Sequence, residues 1–247
     1  MSSPATEPAL GATLAAPVPA GPWRQALVRE VAHPRARSVL LRLDVPERTV
    51  HLPGQHYLVR LHAEDGYVAS RSYSLASAPS DPLVELYVEE LLDGEVSPYL
   101  AQCVEVGDSL EVRGPIGGWF VWDGRSPAVG VAGGSGVVPL VAMLRHAHEV
   151  GSLDLLRLAV SARTLAELPY ADELLAAGAV VALSREVSAA GRAAGRLTTA
   201  ELQPLVDPQA TYFVCGSSAF AAGASDLLLE VGVDPAQVRV ERFGPSG

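Results

Sequence analysis

The sequence predicts two domains in series: an antiparallel β-barrel, then a doubly wound parallel β-sheet with helices. Three observations predict this β plus α/β fold class. Short apolar segments separated by turn residues fill the first half of the chain, apolar runs alternate with Ala- and Leu-rich stretches in the second, and a glycine-rich stretch at 114–118 lies between them. We expect a flexible tail over residues 1–22, the barrel over 23–124 and the α/β domain over 125–247.

The barrel is predicted from five strand-like segments, at residues 37–45, 55–62, 67–75, 83–89 and 109–113. Turn residues such as Pro53-Gly54, Asp65-Gly66 and Gly107-Asp108 separate these segments. Many short strands with regular turns are typical of a closed or nearly closed antiparallel barrel. Ser97 followed by Pro98 predicts a short helix, with serine as its N-cap and proline at its first position.

The second domain is predicted from a different period. A buried-strand run at 128–132 precedes an amphipathic helix at about 137–150, and further apolar runs follow at 155–160, 180–184 and 211–215. Ala- and Leu-rich stretches separate these runs. Strands that alternate with helices indicate a parallel, doubly wound sheet.

Composition excludes several classes of function. The formal net charge of -10 argues against a nucleic-acid partner, because phosphate binding requires a basic face. Two cysteines, Cys103 and Cys215, cannot make a disulfide framework, no cysteine-rich spacing exists to hold zinc or an iron–sulfur cluster, and no metal site is expected. No apolar run approaches the roughly 18 residues of a membrane span, and the first residues lack the basic start of a signal peptide. We therefore expect a cytoplasmic protein.

One candidate site is the segment Arg71-Ser72-Tyr73-Ser74. A flavin dinucleotide requires a cation for its pyrophosphate, a flat partner for its ring and hydrogen bonds to the ring nitrogens. The segment supplies all three kinds of group, with Arg71 and Tyr73 on one face of a strand and the two serines on the other. The alternative is an ordinary half-buried strand.

A second candidate site is the glycine turn Gly133-Gly134-Ser135-Gly136, which follows a strand and opens a helix at Val137 to Pro139. Glycine permits close backbone approach, and a helix start offers N–H donors to a pyrophosphate. Such a turn can also be glycine-rich for packing reasons alone. The start of the short helix, Gly94 to Ser97, is a further candidate phosphate site, although a capped helix would look the same.

These motifs and their order resemble the ferredoxin–NADP reductase family, over residues 23–247. Any one motif is weak, but their order along the chain is specific. Two departures are Val138, where the family often has threonine or alanine, and Phe243, which replaces the tyrosine of plant-type members and is followed by four residues. The motifs are Pro53-Gly54-Gln55-His56, Arg71-Ser72-Tyr73-Ser74, Gly94-Glu95-Val96-Ser97, Gly114-Pro115-Ile116-Gly117-Gly118, Gly133 to Pro139, Cys215-Gly216 and Val240-Glu241-Arg242-Phe243.

The resemblance implies roles for individual residues. Arg71 would bind the pyrophosphate of FAD, Tyr73 would pack on the isoalloxazine ring, and Ser74 would lie near its N5 atom. Further FAD contacts are implied for His56, Ser72, Gly94, Val96 and Ser97, although a buried, hydrogen-bonded His56 is the alternative.

At the nucleotide site, Cys215 would lie beside the nicotinamide as a packing residue, and Glu241 matches the family's acidic residue there. Phe243 matches the aromatic residue that covers the flavin.

The choice of nucleotide depends on basic residues after the strands. Ser184-Arg185-Glu186 resembles the segment that holds the 2′-phosphate in NADP-using relatives, and NADP requires cationic or hydroxyl groups at that position. Ser161, Arg163 and Arg192 would add to it, unless these arginines are solvated loop residues. We therefore expect NADPH, with NADH left open.

The resulting hypothesis is an FAD-dependent oxidoreductase that passes hydride from NADPH to FAD. Single electrons would then go to a separate protein: a ferredoxin, a flavodoxin, or the partner subunit of a larger oxidoreductase or oxygenase. Two alternatives remain. One is a reductase of free flavin or another small acceptor, and the other is a flavin-binding electron-transfer subunit that NAD(P)H does not reduce.

Overall fold

The computed structural model describes residues 21–244. Most of the predicted tail over residues 1–22, and the last three residues of the chain, lie outside this range. The described part contains two β-sheets, one antiparallel and one parallel, in the predicted order along the chain. The predicted fold class is therefore confirmed.

The first sheet has six antiparallel strands in the order β4-β3-β6-β1-β2-β5. A single bridge between Leu75 and Leu86 joins its two ends, so the sheet closes on itself as a barrel. Alternate residues such as Val39, Leu41 and Leu43 are fully buried, which gives the barrel its core. The strands are β1 (Arg24–Arg35), β2 (Ser38–Asp44), β3 (His56–His62), β4 (Val68–Ser74), β5 (Val84–Glu89) and β6 (Ser109–Ile116), with the helix α1 (Ser97–Gln102) between β5 and β6.

The second sheet has five parallel strands in the order β11-β10-β7-β8-β9. Helices cover both faces, because one buried cluster contains Leu140 and Leu144 and the other contains Ala221 and Leu228. The elements are β7 (Ala128–Gly133), α2 (Val138–Val150), β8 (Leu156–Ala162), α3 (Ala171–Ala176), β9 (Val180–Leu183), α4 (Thr199–Leu202), β10 (Thr211–Ser217), α5 (Ser218–Glu230) and β11 (Val238–Phe243). Within residues 21–244, no helix has both the length and the apolar character needed to cross a bilayer.

Two local predictions require correction. Ser97 does not cap α1: Val96 is the N-cap, and the Ser97 hydroxyl instead accepts a hydrogen bond from the Leu91 backbone N–H. The strands β1 and β11 were not among the predicted segments. Alternation is weak in both, and β11 has no fully buried residue. Its place at the edge of the sheet explains that composition.

The connection from β6 to β7 packs against both domains. Phe120 and Trp122 lie in the buried cluster beneath α2, while the backbone N–H of Trp122 donates to the Pro53 carbonyl at 3.2 Å. The predicted boundary at residues 124/125 falls in this connection and remains a prediction.

Arg145 on α2 links the two domains. Its guanidinium donates to Glu85 on β5 at 2.8 Å and to the carbonyl of Ala76, just after β4, at 3.0 Å. The same group donates to both carboxylate oxygens of Glu173 on α3, at 2.8 and 2.9 Å. Tyr170 completes the cluster: its hydroxyl donates to Glu85 at 2.9 Å, and its ring lies 5.1 Å from the guanidinium carbon. The buried carboxylate of Glu85 thus depends on a cation from the other domain.

Replacing Arg145 with methionine should lower the free energy of unfolding by roughly 2–3 kcal/mol, because Glu85 would remain buried without its main counter-charge. Arg42, whose Nε lies 3.9 Å from Glu85, limits the loss. Urea denaturation of both proteins measures the difference. Arg29→Met, which removes an exposed pair with Asp44, is the control and should cost at most about 1 kcal/mol. Equal losses in the two variants would contradict a special role for the interdomain pair.

Candidate functional site

Strand β4 presents the predicted flavin-binding segment at an open edge of the barrel. It pairs along its length with β3, where Ser74 lies opposite His56, but meets β5 only through the Leu75 bridge. No other strand of the described chain pairs with the outer edge of β4. Its backbone donors and acceptors are therefore available to a ligand, which suits the heteroatoms of a flavin ring.

Arg71, on β4, is exposed and already engaged. One guanidinium nitrogen donates to the Ser70 carbonyl at 2.8 Å and the other to Glu95 at 2.6 Å. The second oxygen of Glu95 accepts a hydrogen bond from the Tyr67 hydroxyl at 2.6 Å. Sequence reasoning did not single out Glu95 and Tyr67 as members of this hydrogen-bonded group. The position of Glu95 inside a recognised motif was the one available signal.

The other residues of the segment differ in burial. Tyr73 is half-buried against the barrel core, and burial raises the pKa of its hydroxyl. Ser74 is buried and Ser72 is exposed. His56 is half-buried, burial lowers its pKa, and its ring makes no hydrogen bond to the described residues. The role of His56 stays a prediction.

The loop before α1 folds back on itself at Gly94. A Cβ atom at this position would lie 2.7 Å from the Ser97 hydroxyl oxygen and 3.1 Å from the Leu91 carbonyl oxygen, so a larger residue would crowd the bond between them. Val96 and Ser97 are buried. Because the Ser97 hydroxyl binds the backbone of Leu91, it anchors the loop in this structure.

The glycine turn lies at the carboxyl edge of the parallel sheet, where ligands of such sheets bind. Gly133 and Gly136 serve packing: their added Cβ atoms would lie 2.6 Å from the Phe220 ring and 2.3 Å from the Cys215 carbonyl oxygen. Gly134 differs, since its φ is +57° and nothing lies within 4 Å of an added Cβ. The turn therefore leaves open space at Gly134 for a bound group. Ser135 donates to Glu89 of the barrel at 2.9 Å.

Cys215 and Glu241 are neighbours in register on the parallel strands β10 and β11. Burial raises the pKa of the fully buried Cys215 thiol, and the nearby Glu241 adds to the shift. Burial also raises the pKa of Glu241 to about 7, and its Oε2 atom is buried with no hydrogen-bond partner among residues 21–244. Such an oxygen can hydrogen-bond to a water or to a bound group. Phe243, two residues on, packs against the same buried cluster as Cys215.

The structure brings the ends of β8 and β9 together. The Ser184 and Arg185 N–H groups donate to the carbonyls of Ala162 and Arg163 at 2.9 and 2.8 Å, and Ser161 lies opposite Gly133. Arg163 pairs with Glu167 at 2.6 Å. Arg185 is exposed, with no side-chain partner among the described residues.

Arg192, predicted to bind the 2′-phosphate, is already engaged by other groups of its own loop. Its guanidinium donates to both oxygens of Glu201 and to the carbonyls of Ala193, Gly195 and Arg196. These bonds use all three of its nitrogens. Arg192 therefore shapes the 188–201 loop.

Comparisons with known proteins match both domains. Residues 28–121 match the family model of the oxidoreductase FAD-binding domain. The FAD/NAD-binding domain of a nitric oxide dioxygenase from Vibrio cholerae has a similar structure, with a TM-score of 0.77 and 26% identity over 90% of this chain and 99% of that one. A ferredoxin NADP⁺ reductase from Neisseria gonorrhoeae shares the fold, with a TM-score of 0.75 at 18% identity, covering 90% of this chain and 98% of that chain.

Curated relatives are similar at the sequence level. The propane 2-monooxygenase reductase component of Mycolicibacterium goodii is 35% identical over 59% of this chain and 42% of its own length. A ferredoxin–NAD(P)⁺ reductase component of naphthalene dioxygenase and salicylate hydroxylase systems from a Ralstonia species is 27% identical. The match covers 84% of this chain and 65% of that protein's length. The chain thus spans about half the length of such relatives. The predicted resemblance to the ferredoxin–NADP reductase family is confirmed.

Glu241 should make stability depend on pH. Between its ordinary value of 4.5 and its folded pKa of about 7, the folded chain holds a proton that the unfolded chain has lost, so stability falls as pH rises through this window. Glu241→Gln removes the effect. The variant should gain stability relative to the parent protein between pH 5 and pH 8, by about 2 kcal/mol. Urea denaturation of both proteins at pH 5 and pH 8 measures this gain. If the difference in the free energy of unfolding between variant and parent were the same at both pH values, a raised pKa of Glu241 would be contradicted.

Proposed function

We propose that the chain is an FAD-dependent NAD(P)H oxidoreductase that delivers electrons to a separate redox protein. The match to the oxidoreductase FAD-binding domain carries this proposal. It is supported by the second sheet, whose glycine turn, open space at Gly134 and buried carboxyl of Glu241 lie at one edge. A barrel that binds the flavin, followed by a parallel sheet whose carboxyl edge can bind a nucleotide, provides the two binding sites that hydride transfer requires.

The residues of β4 fit FAD. Arg71 supplies the cation for a pyrophosphate, Tyr73 a half-buried ring for stacking, and Ser74 a hydroxyl beside His56. The open backbone edge of β4 supplies further hydrogen bonds to the ring. Bound FAD supplies a hydride acceptor that can pass electrons on singly. The protein's contribution is to hold the reacting groups in the right geometry.

At the nucleotide edge, Gly134 provides the space and the backbone N–H groups of the turn provide donors for a pyrophosphate. Cys215 acts by packing and not as a nucleophile, because burial keeps its thiol protonated. Glu241 is protonated near neutral pH to a substantial fraction. It can therefore donate a hydrogen bond to a nicotinamide carboxamide, as well as accept one.

We assign NADPH as the preferred nucleotide. Arg185, exposed at the end of β9, has no side-chain partner in the part of the chain that the structure describes, whereas Arg163 is paired. An NAD site uses a free acidic residue to bind the ribose. The carboxylate of Glu186, the nearest candidate, instead accepts a hydrogen bond from the Leu165 N–H at 2.7 Å. Both observations favour a 2′-phosphate over a 2′-hydroxyl.

The acceptor is proposed to be an oxygenase component, a ferredoxin or a flavodoxin. Two relatives are named as reductase components of a propane monooxygenase and of a dioxygenase system. The two cysteines, one exposed and one buried, lie in the regions of different sheets and form no cysteine-rich motif of the kind that ligates an iron–sulfur cluster. We therefore place the one-electron carrier on a separate protein.

Anaerobic stopped-flow absorbance of the purified protein, mixed separately with NADPH and NADH, tests the function. Rapid loss of the oxidised-flavin absorbance with NADPH, and slow loss with NADH, is the expected result. Rapid loss with NADH alone would overturn the nucleotide assignment but keep the reductase. A bound flavin that neither nucleotide reduces would instead support an electron-transfer subunit. Saturable turnover of free flavin, unaffected by added acceptor protein, would support a reductase of small acceptors.

Replacing Arg185 with alanine tests the specificity. With NADPH, kcat/KM should fall by an amount that corresponds to roughly 2–3 kcal/mol of transition-state stabilisation, which is typical of a charge-assisted phosphate contact. With NADH, kcat/KM should change little. Arg157→Ala is the matched control, because this exposed arginine lies near the other end of β8. Its kinetics should match those of the parent protein. Equal loss with both nucleotides in Arg185→Ala would contradict the assignment.

A further inference from the structure

We propose that Glu95 competes with the FAD pyrophosphate for Arg71 and thereby limits the affinity for the cofactor. The inference rests on the proposed function, since it concerns the same site. Glu95 holds the guanidinium before FAD binds, and FAD must displace this carboxylate to reach its cation. Glu95 is thus an affinity-setting residue.

The contacts on both sides of Glu95 carry the argument. One carboxylate oxygen accepts from Arg71 at 2.6 Å and the other from the Tyr67 hydroxyl at 2.6 Å. Another nitrogen of Arg71 donates to the Ser70 carbonyl. A pyrophosphate binds arginine best through two parallel N–H bonds. Both edges of a guanidinium that make two parallel N–H bonds include Nη2, the nitrogen of Arg71 that binds Glu95, so a bidentate pyrophosphate competes with the Glu95 carboxylate at that nitrogen.

The backbone places Glu95 over β4. The loop at residues 91–96 is closed by the Gly94 N–H on the Leu91 carbonyl and by the Leu91 N–H on the Ser97 hydroxyl. Because the loop is anchored at both sides of Gly94, the next side chain extends toward Arg71. Tyr67, in the turn before β4, then fixes the other carboxylate oxygen.

The pair is exposed enough to open. The Arg71 and Glu95 side chains each retain 45% of their accessible surface, so solvent screens the ion pair and a doubly charged pyrophosphate can displace it. The hydrogen bond from Tyr67 lowers the pKa of Glu95, which keeps the carboxylate ionised at neutral pH. After displacement, the same negative charge remains near the phosphates. Both effects weaken FAD binding.

Titration of the FAD-free protein with FAD, followed by quenching of flavin fluorescence, tests the proposal without any measurement of turnover. Glu95→Gln should bind FAD about three- to tenfold more tightly, the range set by loss of an exposed ion pair and of charge repulsion. Tyr67→Phe should give a smaller gain, because the carboxylate is then less firmly held. Asp93→Asn is the matched control: it removes the same charge from the same loop at an exposed residue with no contact to Arg71.

Tighter binding in Glu95→Gln with unchanged binding in Asp93→Asn supports the proposal. Unchanged or weaker binding in Glu95→Gln overturns it, since Glu95 would then merely hold Arg71 in place for the phosphate. An equal gain in Asp93→Asn also overturns it in favour of a general charge effect. Failure of the parent protein to bind FAD at all would remove the proposed function itself, which is a different result from altered affinity in one variant.

Discussion

The ion pair between Arg145 and Glu85 is the interaction on which the arrangement of the two domains depends. Glu85 is a carboxylate on a barrel strand with 8% of its side chain exposed, and its nearest cation comes from α2 of the other domain. A buried carboxylate without a cation is strongly unfavourable, so the two domains cannot separate at this face without a cost in free energy. Glu173 and Tyr170 then fix the direction of the guanidinium through three further contacts.

This link also relates the two candidate sites to each other. The helix α2 starts at the glycine turn, and Arg145 lies two turns further along it. Its contact with Ala76 reaches the backbone two residues beyond the flavin segment on β4. The bond from Ser135 to Glu89 makes a second connection, directly between the turn and the barrel. The distance between the two sites is therefore set by side-chain bonds as well as by the connecting chain.

The sequence predicts the fold well where the pattern of apolar residues along a segment is regular. Alternation in β2 and the apolar run of β7 predicted these strands to within one residue, because burial on one face or both leaves a clear pattern. The edge strand β11 was missed, since half-buried positions carry a mixed composition. The role of Ser97 was wrong for another reason. A hydroxyl at the start of a helix can accept a hydrogen bond from any nearby N–H. Here it accepts from the Leu91 N–H, which the path of the preceding loop brings close to Ser97.

At the candidate site, the sequence could predict which arginines are suited to bind phosphate but not which of them are unpaired. Residue type does not reveal whether a cation already has a partner in the folded chain. Two of the pairings had local signals. Glu167 lies four residues after Arg163, and Glu201 belongs to a capping box with Thr198 that also receives Arg192. The partner of Arg71 lies 24 residues away on a loop, beyond any local pattern. A 2′-phosphate requires a cation that folding has not neutralised. Among the arginines named for phosphate binding, Arg185 meets that condition within the described chain, whereas Arg71 meets it once Glu95 is displaced.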